Sequence, residues 1–174
     1  MLLVHDPLHS QLEFKIKHLM ISQVRGVFKQ FDAKIETKDA TFKNALVMCV
    51  VEVGSIHTQI KDRDDHLRSS DFFDVDKFPH MTFLSTKTTQ LSSSKYMLHG
   101  YLEIKGEKQS MDLVAEYNGS DVDQYGQLKY GFELTGTLRR SDWGLNFNVP
   151  GGNSTLLIGD EVKIEADIQM IEKK

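Results

Sequence analysis

The sequence predicts an all-β protein, an eight-stranded antiparallel barrel with a short helical insertion at about residues 59–76 capping one end. Three observations carry this expectation. Eight stretches alternate apolar with polar residues at the period of two that gives a strand one buried and one wet face. The connections between them are short, apart from a charged insertion within Gly54–Phe83 and an irregular stretch at Arg139–Asp160. No repeat or low-complexity linker divides the chain, and 174 residues suit one domain, 1–174, with one core.

Taken in order, Leu12, Phe14 and Ile16 alternate with Gln11, Glu13, Lys15 and Lys17 in the first strand, and His18 to Val24 reads as a turn or short helical link. Gly26 opens a long second strand carrying Phe28, Phe31, Ala33 and Ile35. Phe28 and Phe31 both face inward only if a bulge shifts the phase, so one is expected near Lys29 or Gln30, where it also bends the strand for closure. The third strand, Ala45 to Val53, is apolar on both faces through Leu46, Met48 and Val50 and reads as covered on both sides. In the insertion, Thr58 is placed to cap a helix starting near Gln59, with Ile60, Asp64 and Leu67 on one face. Ser69, Ser70 or Asp71 restarts a second short helix holding Phe72 and Phe73, and Pro79 returns the chain to an extended form. His80 to Lys87, Tyr96 to Lys105 and Gln109 to Asn118 read as hairpin strands. The seventh strand has an aromatic inner face with Leu128, Tyr130, Phe132, Leu134 and Leu138. In the last strand Val162, Ile164, Ala166, Ile168 and Met170 alternate with polar residues, and Pro150, Gly151 and Gly152 read as a turn in the loop before it.

Composition excludes several classes of function. The net charge of −4, with both signs interspersed, leaves no basic stripe, so nucleic acid is not an expected partner. The single cysteine, Cys49, lies in an apolar run and reads as a small core hydrophobe. No segment is apolar and long enough to span a bilayer or to form a secretory signal. Stable membrane insertion is therefore not expected, and the location reads as cytoplasmic as written, or periplasmic where a signal has been removed. Among seven histidines, His57, His66 and His80 with Asp64 have suitable atoms for zinc or nickel, but their spacing fits no compact ligand motif. No nucleophile elbow, phosphate-cradling glycine loop or metalloprotease pair is present, and His9 and Ser10, as neighbours, point to opposite faces of a strand. No catalytic residue, metal or cofactor is expected.

Residues spread along the chain carry a resemblance. Asp6, His9 and Ser10 precede the first strand, followed by Phe14, His18 and the run Gly26, Phe28 and Phe31. The central stretch supplies Thr58, Arg63, Asp64, His66, Leu67, Phe72, Phe73, Pro79 and Phe83. Gly100, then Arg140, Asp142 and Gly144, then Gly159, Asp160 and Val162 complete the set. Over essentially its whole length the sequence resembles the YceI-like family of bacteria, lipocalin-like polyisoprenoid-binding barrels. The aromatic residue common before the opening aspartate is here only Leu3 or Val4. Many relatives also carry a secretion signal that this chain lacks. The resemblance implies a barrel with helices near its mouth, a pore for a prenyl tail, and carriage or transport rather than catalysis. The implied partner is an isoprenoid quinone, polyprenyl diphosphate, fatty acid or amide, and the family also makes a homodimer an open expectation.

The candidate ligand-binding residues are Phe14, Phe28, Phe31, Phe72, Phe73, Phe83, Tyr130, Phe132, Leu134 and Trp143, with Arg63, His66 and Arg140. Each ring taken singly reads as ordinary core. Taken with a stored prenyl chain, some of them line a tunnel, because each buried methylene is worth about 0.8 kcal/mol. Phe72, Phe73 and Trp143 lie outside the strands and are expected at its mouth. Arg63 and Arg140 could grip a diphosphate, with His66 as a third donor. Ion pairs, Arg63 with Asp142 or Asp64 with Arg140, could equally pin the cap to the long loop, and pinning is the favoured reading. Two rivals remain at this point. A plugged barrel would serve as an interaction or stress-response module through its Asn146–Leu157 loop, and a hydrolase or isomerase would need a buried titratable group beside the tunnel. His99, between Leu98 and Gly100, faces outward and does not supply one.

Overall fold

The computed structural model describes residues 1–39, 41–150 and 157–173. Its strands are β1 (Leu2–His5), β2 (Gln11–His18), β3 (Ser22–Phe28), β4 (Phe31–Glu36), β5 (Leu46–Glu52), β6 (Ile56–His57), β7 (His80–Gln90), β8 (Lys95–Ile104), β9 (Glu107–Val122), β10 (Leu128–Arg139) and β11 (Ile158–Glu172). All belong to one antiparallel sheet in which β1, β4, β5, β7, β8, β9, β10 and β11 close a ring, since β11 pairs back onto β1. The remaining three continue ring positions past an interruption. β1 and β2 share one edge of β11, with His5 opposite Met170 and Gln11 opposite Asp167. β3 runs on into β4, and β5 into β6 through a 3-10 turn at Val53–Ser55. The barrel thus has eight strand positions, as the alternation predicts.

Alternation survives best where one face meets the core. In β8, Tyr96, Leu98, Gly100, Leu102 and Ile104 are buried while their neighbours are not. The break between Phe28 and Phe31 falls at Lys29 and Gln30, whose backbone groups bond Ser55 and Glu52 instead of a regular ladder, and both rings face the interior. Gly26 stands opposite Phe14, and a Cβ there would come within 2.3 Å of the ring, so glycine makes room for Phe14 to lie flat across the barrel.

Three expectations need correction and one is narrowed. β1 is absent from the strands read from sequence, because Leu2, Leu3 and Val4 do not alternate, yet it closes the ring. The turn read at His18 to Val24 is present, narrowed to Leu19–Ile21 between the paired strands β2 and β3. The outer face of β5 is not covered: Leu46 and Met48 are exposed and join Leu84 and Tyr101 in an apolar row across β5, β7 and β8. The insertion holds a single helix, α1 (Lys61–Arg68), and the chain beyond it turns through Phe72 and Phe73 without a second helix.

Nor does Thr58 cap α1. Ile60 occupies that position and is half exposed, while the Thr58 hydroxyl and N–H both donate to the buried Asp64 carboxylate, at 2.5 and 2.9 Å. Arg63 in turn donates to the Thr58 hydroxyl and carbonyl, and Arg68 to the carbonyls of Gly54 and Ile56. A helix of this length is marginal alone. This one is docked by polar contacts, with Leu67 as its main apolar contact to the barrel.

Candidate functional site

Two adjoining apolar spaces lie inside the molecule. Under α1 and the loop after β10 lies a chamber of about 580 Å³, and within the barrel lies a channel of about 150 Å³. Phe14, Phe28, Met81 and Ile164 line both, so the two spaces adjoin at these four side chains. An apolar cavity of the channel's volume accommodates a benzene-sized group. The wider space lies under the cap and the narrower one within the barrel. The channel ends at Phe42, which packs against Tyr96, Tyr117, Tyr130 and Phe132 with ring centroids 5.1 to 6.4 Å apart.

The candidate residues fall into three groups. Phe31, Phe83, Phe132 and Leu134 line the channel, and Phe14 and Phe28 stand at the junction. Arg63, His66, Phe72, Phe73 and Arg140 line the chamber. Tyr130 and Trp143 line neither. Tyr130 is packed beneath Phe42, at the closed end, and its hydroxyl reaches the sulfur of Met1. Trp143, expected at the mouth, is buried in the wall, where its indole N–H donates to the Leu102 carbonyl at 2.9 Å.

The charged residues hold the cap and loop, though not through the expected ion pairs. Arg140 is buried, and its guanidinium donates to the carbonyls of Leu145, Gly159, Phe147 and Ile158 at 2.5, 2.8, 2.9 and 3.4 Å. Burial pushes its pKa down, with the Asp160 charge opposing that shift. Asp160 itself is engaged by Arg139 and by Ser141. His66 Nε2 donates to the Asp71 carboxylate, 2.8 Å away, and the ring stacks edge-on against Phe72 and Phe147. The expected pairs fail because Arg63 and Asp64 both turn back to Thr58 and Arg140 is fully occupied by carbonyls.

Among the described residues no three His, Cys, Asp or Glu side chains converge as a metal site. His57, His66 and His80 each face their own carboxylate, on Asp64, Asp71 and Glu52. His99 lies between Asp112 and Thr89, away from both cavities. Cys49 lines the channel, where burial pushes its thiol up to about 12.

Two lining rings escaped the sequence reading. Phe42 is an apolar ring alone in a polar loop, which is itself a signal that the loop folds inward. Phe147 belongs to Leu145, Phe147 and Val149, which alternate with Gly144, Asn146 and Asn148, and all three apolar residues line the chamber. The turn expected at Gly151 and Gly152 lies outside the described residues.

Comparison with known proteins agrees with this architecture. A UPF0312 protein of Staphylococcus epidermidis is 38% identical over 165 residues, covering 94% of each chain. The crystal structure of a Campylobacter jejuni YCEI protein superposes with a TM-score of 0.75 at 32% identity, over 92% of this chain and 91% of that one. A polyisoprenoid binding domain from Saccharophagus degradans, implicated in plant cell wall breakdown, shares the fold, with a TM-score of 0.71 over 98% of both chains at 13% identity. The family model for the YceI-like domain matches residues 3–170, and the chain belongs to that family.

Proposed function

We propose that this protein binds and carries a long-chain amphiphile, an isoprenoid or a related lipid, without chemically converting it. The observation that carries the reading is the pair of apolar cavities, chamber and channel, that meet at Phe14, Phe28, Met81 and Ile164. A slender tail gains about 0.8 kcal/mol for each methylene it buries there, enough to exceed the cost of ordering it. The polar head would remain in the wider chamber, near Asp62, Arg63 and His66. Support for a prenyl tail comes from the fold relative described as a polyisoprenoid binding domain. A fatty acyl chain satisfies the same apolar geometry.

Ala166 tests the reading because it lines the channel but not the chamber. With Ala166→Phe the channel is filled, and delipidated protein should lose roughly a hundredfold in affinity for a tail that places about four methylenes there. A short-chain analogue confined to the chamber should bind unchanged. Equal affinity of the variant and the parent for long tails would refute the reading.

A further inference from the structure

The hairpin between β2 and β3 turns at Leu19, Met20 and Ile21, beside the mouth of the chamber. The Ile21 N–H donates to the His18 carbonyl at 3.2 Å, and the two residues between, Leu19 and Met20, have φ of 53° and 58°. This is the left-handed geometry of a tight hairpin turn that favours Asn and Gly, and large side chains adopt it at a cost. The chain nevertheless carries Leu and Met there, followed by Ile, and leaves Met20 58% and Ile21 83% exposed. Neither folding nor solubility accounts for three large apolar residues on such a tip, and an outlier of this kind points to a use.

The surroundings indicate the use. The Leu19 N–H donates to the Leu157 carbonyl, and Leu157 bonds Val149, so the tip is tied to two residues that line the chamber. Ile60, half exposed at the start of α1, shortly precedes Asp62 and Arg63, which line the chamber. Lys17, Lys163 and Met20 share one shallow groove on the outer face, and Arg25 lies one cross-strand pair further along β3. Lys17, Lys163 and Arg25 make no close ion pair among the described residues, although Arg25 and Lys163 lie near enough to Glu165, which Lys15 holds, to help lower its pKa. Of the acids in the groove, Asp160 is engaged by Arg139 and Ser141, which leaves Glu161. An apolar tip flanked by exposed cations that outnumber the acids of the groove matches the interface of an anionic phospholipid bilayer, where side chains reach the acyl boundary and lysines meet headgroups.

We propose that the Leu19–Ile21 tip docks the barrel mouth on an anionic phospholipid membrane, from which the tail enters the chamber. This rests on the carrier reading above. The test is co-flotation of the full chain with vesicles of phosphatidylcholine and phosphatidylglycerol, against phosphatidylcholine alone. The protein should float with the anionic vesicles, less so at high salt, and Met20→Asp with Ile21→Asp should weaken this roughly tenfold or more. A second pair, Leu19→Asn with Met20→Gly, suits the turn and should raise Tm by roughly 2–4 °C while still weakening flotation, a combination that a merely structural tip would not produce. Failure of the parent to float with anionic vesicles, or undiminished flotation of both pairs, overturns the proposal. So does a tip whose replacement changes only the oligomeric state in sedimentation velocity. Uptake of a fluorescent fatty acid without vesicles separates the two readings: tip variants should retain it. A parent that floats but takes up no fatty acid or prenyl quinone would sink carriage and leave docking standing.

Discussion

The Asp6 carboxylate sits where β1 bends into β2 and accepts hydrogen bonds from Lys129, His9 and the Leu8 N–H at 2.8, 3.0 and 3.0 Å. Lys129, foremost, pulls its pKa down to about 2 against the opposing effect of burial. A carboxylate depressed on folding contributes stability that is complete above its unfolded value near 3.8 and is lost as pH falls through about 2. Asp6→Asn should therefore cost on the order of 1–2 kcal/mol at neutral pH, discounted for solvent screening, and flatten urea stability between about pH 4 and pH 2. Urea midpoints of parent and variant across that range check this. Ser10 completes the stitch by exchanging hydrogen bonds with the Gln169 backbone, so all three residues of the opening motif lie at or beside this bend. Arg140 has the same kind of task. Replacing it with Lys breaks the fork over the loop carbonyls and should cost about 2–4 kcal/mol in urea unfolding. Were it chiefly a headgroup clamp, Arg140→Lys would reduce lipid affinity and leave the urea midpoint unchanged.

At the scale of the element, legibility followed locality. The long strands could be read because burial on one face writes a period of two into the chain, and the bulge at Lys29 and Gln30 because Phe28 and Phe31 cannot otherwise share a face. β1 could not, since its neighbours on β4 and β11 lie far along the sequence and its own residues do not alternate. Thr58 suits a helix cap by type, but its true partner is the Asp64 carboxylate, a geometry visible only once α1 is docked. Tyr130 reads as lining because alternation separates inside from outside and says nothing of height along the barrel axis, and Trp143 reads as a mouth residue because it lies outside the strands, which does not reveal that its indole bonds the wall. Height decides which rings plug the end, as Phe42 and Tyr130 do, and which surround open space, as Phe14 and Phe28 do. Arg63 and Arg140 were rightly grouped near the mouth, while their partners, backbone carbonyls, carry no signature in sequence.

Across the whole molecule, one end is closed by packed rings and the other is roofed by a polar helix and a loop held by one buried arginine. Between them lie the two adjoining cavities, the wider beneath the roof, whose walls bear almost no polar surface. In the carrier proposal that asymmetry admits an amphiphile tail first. The most direct measurement is mass spectrometry of an organic extract of the purified protein made under denaturing conditions. Carriage predicts a prenyl or acyl amphiphile at about one per chain, depleted in Ala166→Phe while the barrel stays folded. An extract that is clean, and stays clean after incubation with prenyl quinones and long-chain fatty acids, would contradict it.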